Sequence, residues 1–517
     1  MNKTFITDVY INNSLWKIYI LNEKDSYEYY NLSNKKNLNE DNLNLCKSEI
    51  INCNFINLSN KISYSNIDNS PSFLDIYDRK FYNVYNTFIN YQKNEASIIF
   101  YYCNIEDPFI IIQLTPYMEF TFMLYINKKE IIKMPISECY NLDHYFPRII
   151  HHLNFVNNEI FHPITLFKKY LFFGFVDHIG HHLWNEVSGL YNFLKNQKYH
   201  DKIDGIILGS YDPFNVKKYL KNNFNFKLIK FNDLFGPLKN NSNINLTNIY
   251  PVVLNHFYID KNVKNMFEPI IQKNNNKKNN ILELSIDLRV HNRYLINQDI
   301  FYTKLLKKIL NNFSNYKIKI NLLGCFQTIM YNINKNKNQE YIKQNIIANK
   351  IIKNFKKKSN IKFLNLIGES FFNIKKNTIK SKLFIACFGT TFSNLNNWIY
   401  NSKIMVFGPK KAYDWTPIQF DVLKNFNAII FPKKYIISKK DIHGLFNVKF
   451  DLFYKFFRSK FINIFNIKKI QKIKFKKKIQ KIKFKKKIQK IKFKKKIQKK
   501  ISKKKFKKSN SKNKFKK

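Results

Sequence analysis

Six short apolar runs pattern the second half of the chain: ILELSIDLR (281–289), YKIKINLLG (316–324), IKFLNLIG (361–368), LFIACFG (383–389), KIMVFGP (403–409) and NAIIFP (427–432). Amphipathic segments of helical length separate most of them. Strands that alternate with helices join by crossovers, which gives parallel sheets of βαβ units. The same rhythm occurs earlier in YLFFGFV (170–176), IDGIILG (203–209), FKLIKF (226–231) and YPVVL (250–254). A polar stretch from Gln272 to Asn280 divides the two series and is expected to act as a hinge. The expectation is an α/β fold with lobes over 166–272 and 281–450, and ligands beyond the carboxyl ends of the strands. Residues 1–165 read as a strand-rich region with long polar connections, in which 98–103, 109–114 and 119–126 are the clearest strands.

The net charge of +55 misleads unless it is divided. Lys468 to Lys517 holds 28 lysines and no acidic residue, so removing it leaves +27 for the remaining 467 residues. This tail repeats IQKIKFKKK from Ile470, Ile479 and Ile488. Nine residues turn a helix through about 900°, which puts the apolar set of one repeat opposite the next. An odd period also inverts the faces of a strand. With like charges repelling throughout, residues 468–517 are expected to be a disordered polybasic tail that adheres to a polyanion, an anionic membrane surface before nucleic acid.

Only five alanines, against abundant Lys, Asn, Ile, Phe and Tyr, match the bias of an AT-rich genome, so part of the basicity is discounted. Cys46, Cys53, Cys103, Cys139, Cys325 and Cys387 are scattered without a CxxC pair, which suits a reducing compartment. Asp8, Asn12, Asn13 and Lys17 interrupt the first apolar stretch, so no signal peptide is expected. Asn104, Glu106, Asp107 and Pro108 likewise break the run nearest to a membrane span. A cytoplasmic protein, peripheral on the inner face of the membrane, is the expectation.

Three constellations can carry chemistry. The first, Asp177 to Glu186, is DHIGHHLWNE after a strand. His182 and Glu186 are four apart, hence on one helical face, and a carboxylate beside an imidazole orients it and raises its basicity for general-base work. His178, His181 and His182 lack a partner at a metal-site spacing, so no metal is expected. The second is Arg289, Arg293 and Asn297 at a strand's carboxyl end; in a chain with few arginines, two such planar donors suit a diphosphate. Ion pairs to Asp287 or Asp299 are the structural alternative. The third is CFGTTFSN (387–394), where Gly389, Thr390, Thr391 and Asn394 at a strand-to-helix junction could bind a phosphate. No dinucleotide fingerprint, P-loop or nucleophile elbow is present.

Taken in order, these segments resemble the family 61 glycosyltransferases and related bacterial polysaccharide-biosynthesis proteins over about 165–435. His182 and Glu186 take the His and Glu of the family's N-x-x-H-W-x-x-E, with Trp184 displaced; Arg289, Arg293 and Asn297 are similar to R-x-x-x-R-x-x-x-N. Gly389 and Asn394 match H-G-A-G-L-x-N, whereas Phe388 replaces its His and Thr391 its second Gly. The resemblance implies a GT-B-like fold of two Rossmann-like lobes, an acceptor side followed by a nucleotide-sugar side. It also implies a nucleotide-sugar co-substrate, a glycan or lipid-linked acceptor, and no obligatory metal or other cofactor. His182 and Glu186 would be catalytic; Arg289, Arg293, Asn297, Gly389, Thr390, Thr391 and Asn394 would hold the donor and its phosphates. Phe388 implies either a substitute donor group, such as a Thr hydroxyl, or a binding protein without transfer activity. A nucleic-acid-associated protein working through its tail is the alternative of a different class. On this reading His182→Ala and Arg293→Ala abolish turnover and leave the thermal melt nearly unchanged.

Overall fold

A computed structural model describes residues 1–11, 13–33, 61–91, 97–115, 119–134, 142–156, 167–176, 180, 182–237, 239, 242–254, 261–267, 281–290, 293–326, 334–388, 402–415, 428–438, 444–465 and 489. The expected hinge (272–280) and almost all of the polybasic tail lie outside these residues. Met1–Phe450 form one compact unit and Asp451–Lys517 a second. In the second, Phe453, Phe457 and Phe461 are buried and recur every four residues along the helix Phe450–Ile464, so their rings stack in a column. Among the described residues no helix is long and apolar enough to cross a membrane.

The first unit contains β1 (Lys3–Ile11), β2 (Ser14–Leu21), β3 (Ser72–Leu74), β4 (Phe81–Tyr91), β5 (Ile98–Cys103), β6 (Phe109–Leu114), β7 (Glu119–Tyr125) and β8 (Glu130–Lys133). Then follow β9 (Lys168–Phe173), β10 (Gly205–Leu208), β11 (Leu228–Lys230), β12 (Ser242–Asn245) and β13 (Ile249–Val252). The last series is β14 (Ile281–Asp287), β15 (Lys317–Leu323), β16 (Ile361–Asn365), β17 (Leu383–Cys387), β18 (Lys403–Phe407) and β19 (Ala428–Ile430), closed by the hairpin β20 (Ile436–Ser438) and β21 (Phe446–Val448).

The N-terminal strands form a sheet in the order β1-β2-β8-β7-β6-β5-β4-β12, with β3 on β4. Alternation divides its two faces. Phe88, Phe100, Tyr102, Ile110, Ile112 and Leu124 pack with Tyr145, Ile149 and Leu153 of the helix Leu142–Val156. Ile89, Ile99, Tyr101, Phe109 and Ile111 join the core that also holds Tyr170 to Phe173 of β9. Hydrogen bonds complete that junction: Thr87 Oγ1 donates to Ile249 O at 2.6 Å and the Tyr101 hydroxyl to Pro251 O at 3.0 Å.

One buried group on the helix Leu142–Val156, packed against this sheet, gives the fold a pH dependence. The His152 ring lies 3.6 Å above Phe100, its Nε2 is 2.9 Å from the Tyr102 hydroxyl, and burial pushes its pKa down to about 3. The unfolded chain takes up this proton near pH 6.5, so folding stability is complete above that pH and falls as the pH drops towards about 3. Relative to high pH, the loss at pH 5 is about 2 kcal/mol. His152→Phe is expected to flatten the fall of the unfolding midpoint over the same range, as followed by urea titration at each pH.

The other two sheets are parallel. The first runs β11-β10-β9-β13 and the second β16-β15-β14-β17-β18-β19. Numbered along its own segment, the second is 3-2-1-4-5-6, the doubly wound order in which the chain reverses direction between strands one and four, here β14 and β17. The first is 3-2-1-4 once β12 is set aside, and reverses between β9 and β13. In each sheet the crevice beyond the reversal point is where such folds accept ligands.

Candidate functional site

β9 is followed by Gly174, whose φ of +89° only glycine adopts without strain. The chain from β10 crosses it closely: Gly209 N donates to Phe173 O at 2.7 Å and Tyr211 N to Gly174 O at 3.0 Å. The next described element opens as a single π-turn, His182–Val187, and continues as the α-helix Ser188–Lys195. Such turns gather at functional sites because the extra residue re-aims a side chain.

This turn brings His182 and Glu186 together as the sequence predicts. His182 Nδ1 is 2.5 Å from Glu186 Oε2, while Glu186 Oε1 accepts from the backbone N–H of Gly174 at 2.7 Å and Phe175 at 3.0 Å. The carboxylate is thus held by the end of β9. Because it accepts, the proton between the two side chains sits on Nδ1, which leaves the Nε2 lone pair as the basic position. Nε2 is buried and has no hydrogen-bond partner among the described residues. Three rings from two segments enclose the imidazole: Phe173 at the end of β9 at 5.3 Å, and, from the connection after β10, Tyr211 edge-on at 5.1 Å and Phe214 stacked at 5.8 Å. Asp177, His178 and His181 lie outside the described residues, as does the Trp184 side chain. Among the described residues no cluster of His, Cys, Asp and Glu could hold a metal ion.

The second constellation follows β14 at the reversal point of the other parallel sheet. Gln298 Nε2 donates to Arg289 O at 2.6 Å, and Ile296 N donates to Phe446 O at 2.9 Å, so the connecting loop is pinned at both ends. Arg293 is largely buried, and both it and Asn297 adopt left-handed φ, +57° and +52°. Such a φ costs a side-chain-bearing residue about 1–2 kcal/mol, which the pinned loop sustains. Asn297 precedes the helix Gln298–Asn312 without capping it through its side chain. Asp299 pairs instead with Lys350 at 3.8 Å. Beside the loop, burial pushes the Cys387 thiol up to about 12; Asp287 adds to this and Arg289 opposes it. Burial likewise pushes the Tyr302 hydroxyl well above its usual range, and Cys387 and Asp287 beside it add to this. The ends of β14 and β17 therefore gather Asp287, Arg289, Tyr302 and Cys387.

The third constellation is only partly visible, because Gly389, Thr390, Thr391 and Asn394 lie outside the described residues. Phe388 is described and belongs to the core: its ring meets Tyr413 edge-on at 4.9 Å, and a Cβ on Gly408 would come within 2.7 Å of it.

Two features were not anticipated from the sequence. The first is an aromatic path from the first constellation to the carboxyl ends of the second parallel sheet. Phe214 meets Phe371 at 5.4 Å, and Phe371 meets Phe326 at 6.0 Å; these two follow β16 and β15. The second is a buried polar network beneath the second constellation. Asn321 Nδ2 lies within 3.2 Å of Glu283 Oε1, Ser285 Oγ and Ser381 Oγ, and Lys319 Nζ is 3.0 Å from Glu283 Oε1. Its signal was the alternation of Glu283, Ser285 and Asp287 with apolar residues in a strand that has neighbours on both sides.

No protein-family model matches this chain, and no curated protein does. Solved structures with some likeness include a trehalose-6-phosphate synthase studied for glycosyl transfer with retention, 8% identical over 53% of this chain and 74% of its own, with a TM-score of 0.24. Another is a mutant of S. aureus TarM in complex with Fondaparinux, alpha-GlcNAc-glycerol and UDP, 10% identical over 78% of this chain and 79% of its own, with a TM-score of 0.18. Both neighbours are glycosyltransferase structures, but at these scores neither likeness bears on the site.

Proposed function

We infer that the chain is a glycosyltransferase that moves a sugar from a nucleotide-sugar donor to a glycan or lipid-linked acceptor. The observation that carries this reading is an oriented imidazole and an arginine pair at the carboxyl edges of two parallel sheets, with the ring path Phe214–Phe371–Phe326 running from the imidazole to the ends of β16 and β15 in the second sheet. His182 Nε2 takes the proton of an acceptor hydroxyl as that oxygen bonds to the anomeric carbon. The bond from the anomeric carbon to the diphosphate breaks, and its electron pair leaves with the diphosphate. Arg289 and Arg293 offset that charge in a partly desolvated setting where fixed cationic donors act strongly. The acceptor lies on the His182 side and the donor on the Arg289 side. Phe388 faces the core, so the donor contact made by the family's histidine falls here to the arginines.

The polybasic tail fits this reading as a tether to an anionic membrane surface, where a lipid-linked acceptor for surface polysaccharide would lie. Deleting residues 468–517 leaves turnover on a soluble acceptor intact if the tail is a tether. A protein whose main work is nucleic-acid binding through the tail loses its affinity instead.

A screen of nucleoside diphosphates and nucleotide sugars for thermal stabilisation tests the donor site, because a ligand bound by the folded state alone raises stability by mass action. At a ligand concentration about 100 times its Kd the gain is about 2.7 kcal/mol. Arg289→Ala and Arg293→Ala are expected to remove that gain while a ligand-free melt is still observed. No stabilisation by any of these ligands would overturn the donor assignment.

A further inference from the structure

The geometry points to a second copy of this chain as the partner of strand β1, joined edge to edge in an antiparallel pair that continues the N-terminal sheet across a two-fold axis. β1 is the terminal strand of that sheet, so its outward N–H and C=O groups have no strand beside them among the described residues. Such an edge is a template for another strand. Its side chains are exposed over Thr4 to Asp8, and Phe5 and Tyr10 are 51% and 74% accessible.

The sequence of β1 fits itself. If Lys3 lies opposite Asp8 of the other copy, Thr4 lies opposite Thr7 and Phe5 opposite Ile6, and the same pairs repeat in reverse. Opposite charges and paired threonines are favourable when directly opposed. In a regular strand this register is impossible, because Lys3 and Asp8 would point to opposite faces. The irregularity between Phe5 and Thr7 removes that obstacle. Lys3, Phe5 and Asp8 oppose Leu21, Tyr19 and Lys17 of β2, whereas Thr4 and Thr7 oppose Ile20 and Ile18. Lys3 and Asp8 therefore share one face and Thr4 and Thr7 the other, as the two-fold register requires, while Ile6 opposes no residue of β2 and lies at the irregularity itself. Lys3 also contacts Glu130 and the Tyr77 hydroxyl, which fixes its ammonium on the face where Asp8 of the second copy arrives.

An extended segment of an unrelated protein could use the same edge, but only a second copy supplies Asp8 to Lys3 and Lys3 to Asp8 at once. The pairing is tested on the full chain by sedimentation at about 0.15 M salt, where screening limits repulsion between two strongly basic copies. The unaltered chain is expected to form dimers. Asp8→Lys opposes two lysines twice and weakens the dimer about tenfold or more. Lys3→Asp opposes two aspartates and does the same, while an equimolar mixture of the two variants restores association. A chain that stays monomeric through the high micromolar range overturns the proposal. So does a dimer that Asp8→Lys leaves unchanged, or a mixture of the variants that associates no better than each alone.

Discussion

Replacing Glu186 by glutamine is expected to lower nucleotide-sugar turnover by about 10²- to 10⁴-fold without unfolding the protein. The amide keeps an oxygen to accept from the Gly174 and Phe175 N–H groups, which lie 2.7 and 3.0 Å from Glu186 Oε1, so the link to the end of β9 survives. What changes is the other half of the side chain. A carboxylate accepts from His182 Nδ1, whereas an amide nitrogen donates to it, so Nδ1 must become the acceptor and the proton moves to Nε2. The imidazole is then in place but holds its proton on the atom that should receive one. Nitrogen-15 chemical shifts of the His182 ring report the tautomer directly, and initial-rate kinetics report the loss. A variant that has changed tautomer yet turns over at the original rate would remove His182 from the reaction.

Burial also revises what alanine does here. The sequence led to the expectation that His182→Ala and Arg293→Ala cost activity alone, but both side chains are buried. Removing His182 opens a void among Phe173, Tyr211 and Phe214, and removing Glu186 strands two backbone N–H groups at about 1–3 kcal/mol each. Glutamine at 186 separates chemistry from folding, and alanine does not.

Much of the framework was legible in the chain because apolar runs were short and evenly spaced. All ten strand segments read from the two series appear as parallel strands, with ends displaced by at most three residues. β12 was invisible: its sequence, SNIN, has no apolar pattern, and it exists because Ser242 to Asn245 lie against β4 and Leu246 N donates to Thr87 O. The spacing of His182 and Glu186 gave their contact, since four residues return a side chain to one face. It could not give the enclosure of the imidazole, which comes from rings separated from it in sequence. Phe388 was legible as a departure from a motif, but its direction was not; packing against Gly408 and Tyr413 sets that. Distant pairings and side-chain directions are tertiary properties that local pattern does not encode.

Gly209→Ala is expected to destabilise the protein by about 3 kcal/mol or more and to loosen the His182 site with it. An added Cβ would lie 2.2 Å from Gly174 O, 2.6 Å from Gly174 C and 3.1 Å from Phe175 N, all backbone atoms that no rotamer change can move. Relief requires the ends of β9 and β10 to part, which lengthens the bonds from Gly209 N to Phe173 O and from Tyr211 N to Gly174 O. The same backbone supplies the two N–H groups that hold Glu186, so the imidazole loses its orientation as the strands separate. Gly236→Ala is the control: its φ of +76° and ψ of −177° lie in a region that is essentially glycine-only, but nothing lies within 4 Å of its added Cβ, so it bears only that backbone cost, about 1–3 kcal/mol. Urea titration of both variants separates steric conflict from backbone strain. If Gly209→Ala unfolds no earlier than Gly236→Ala, the close crossing of β9 and β10 does not support the site. If it unfolds earlier and its residual turnover falls below that of Gly236→Ala, the glycine at 209 is what lets the strand ends approach closely enough to hold Glu186 against His182.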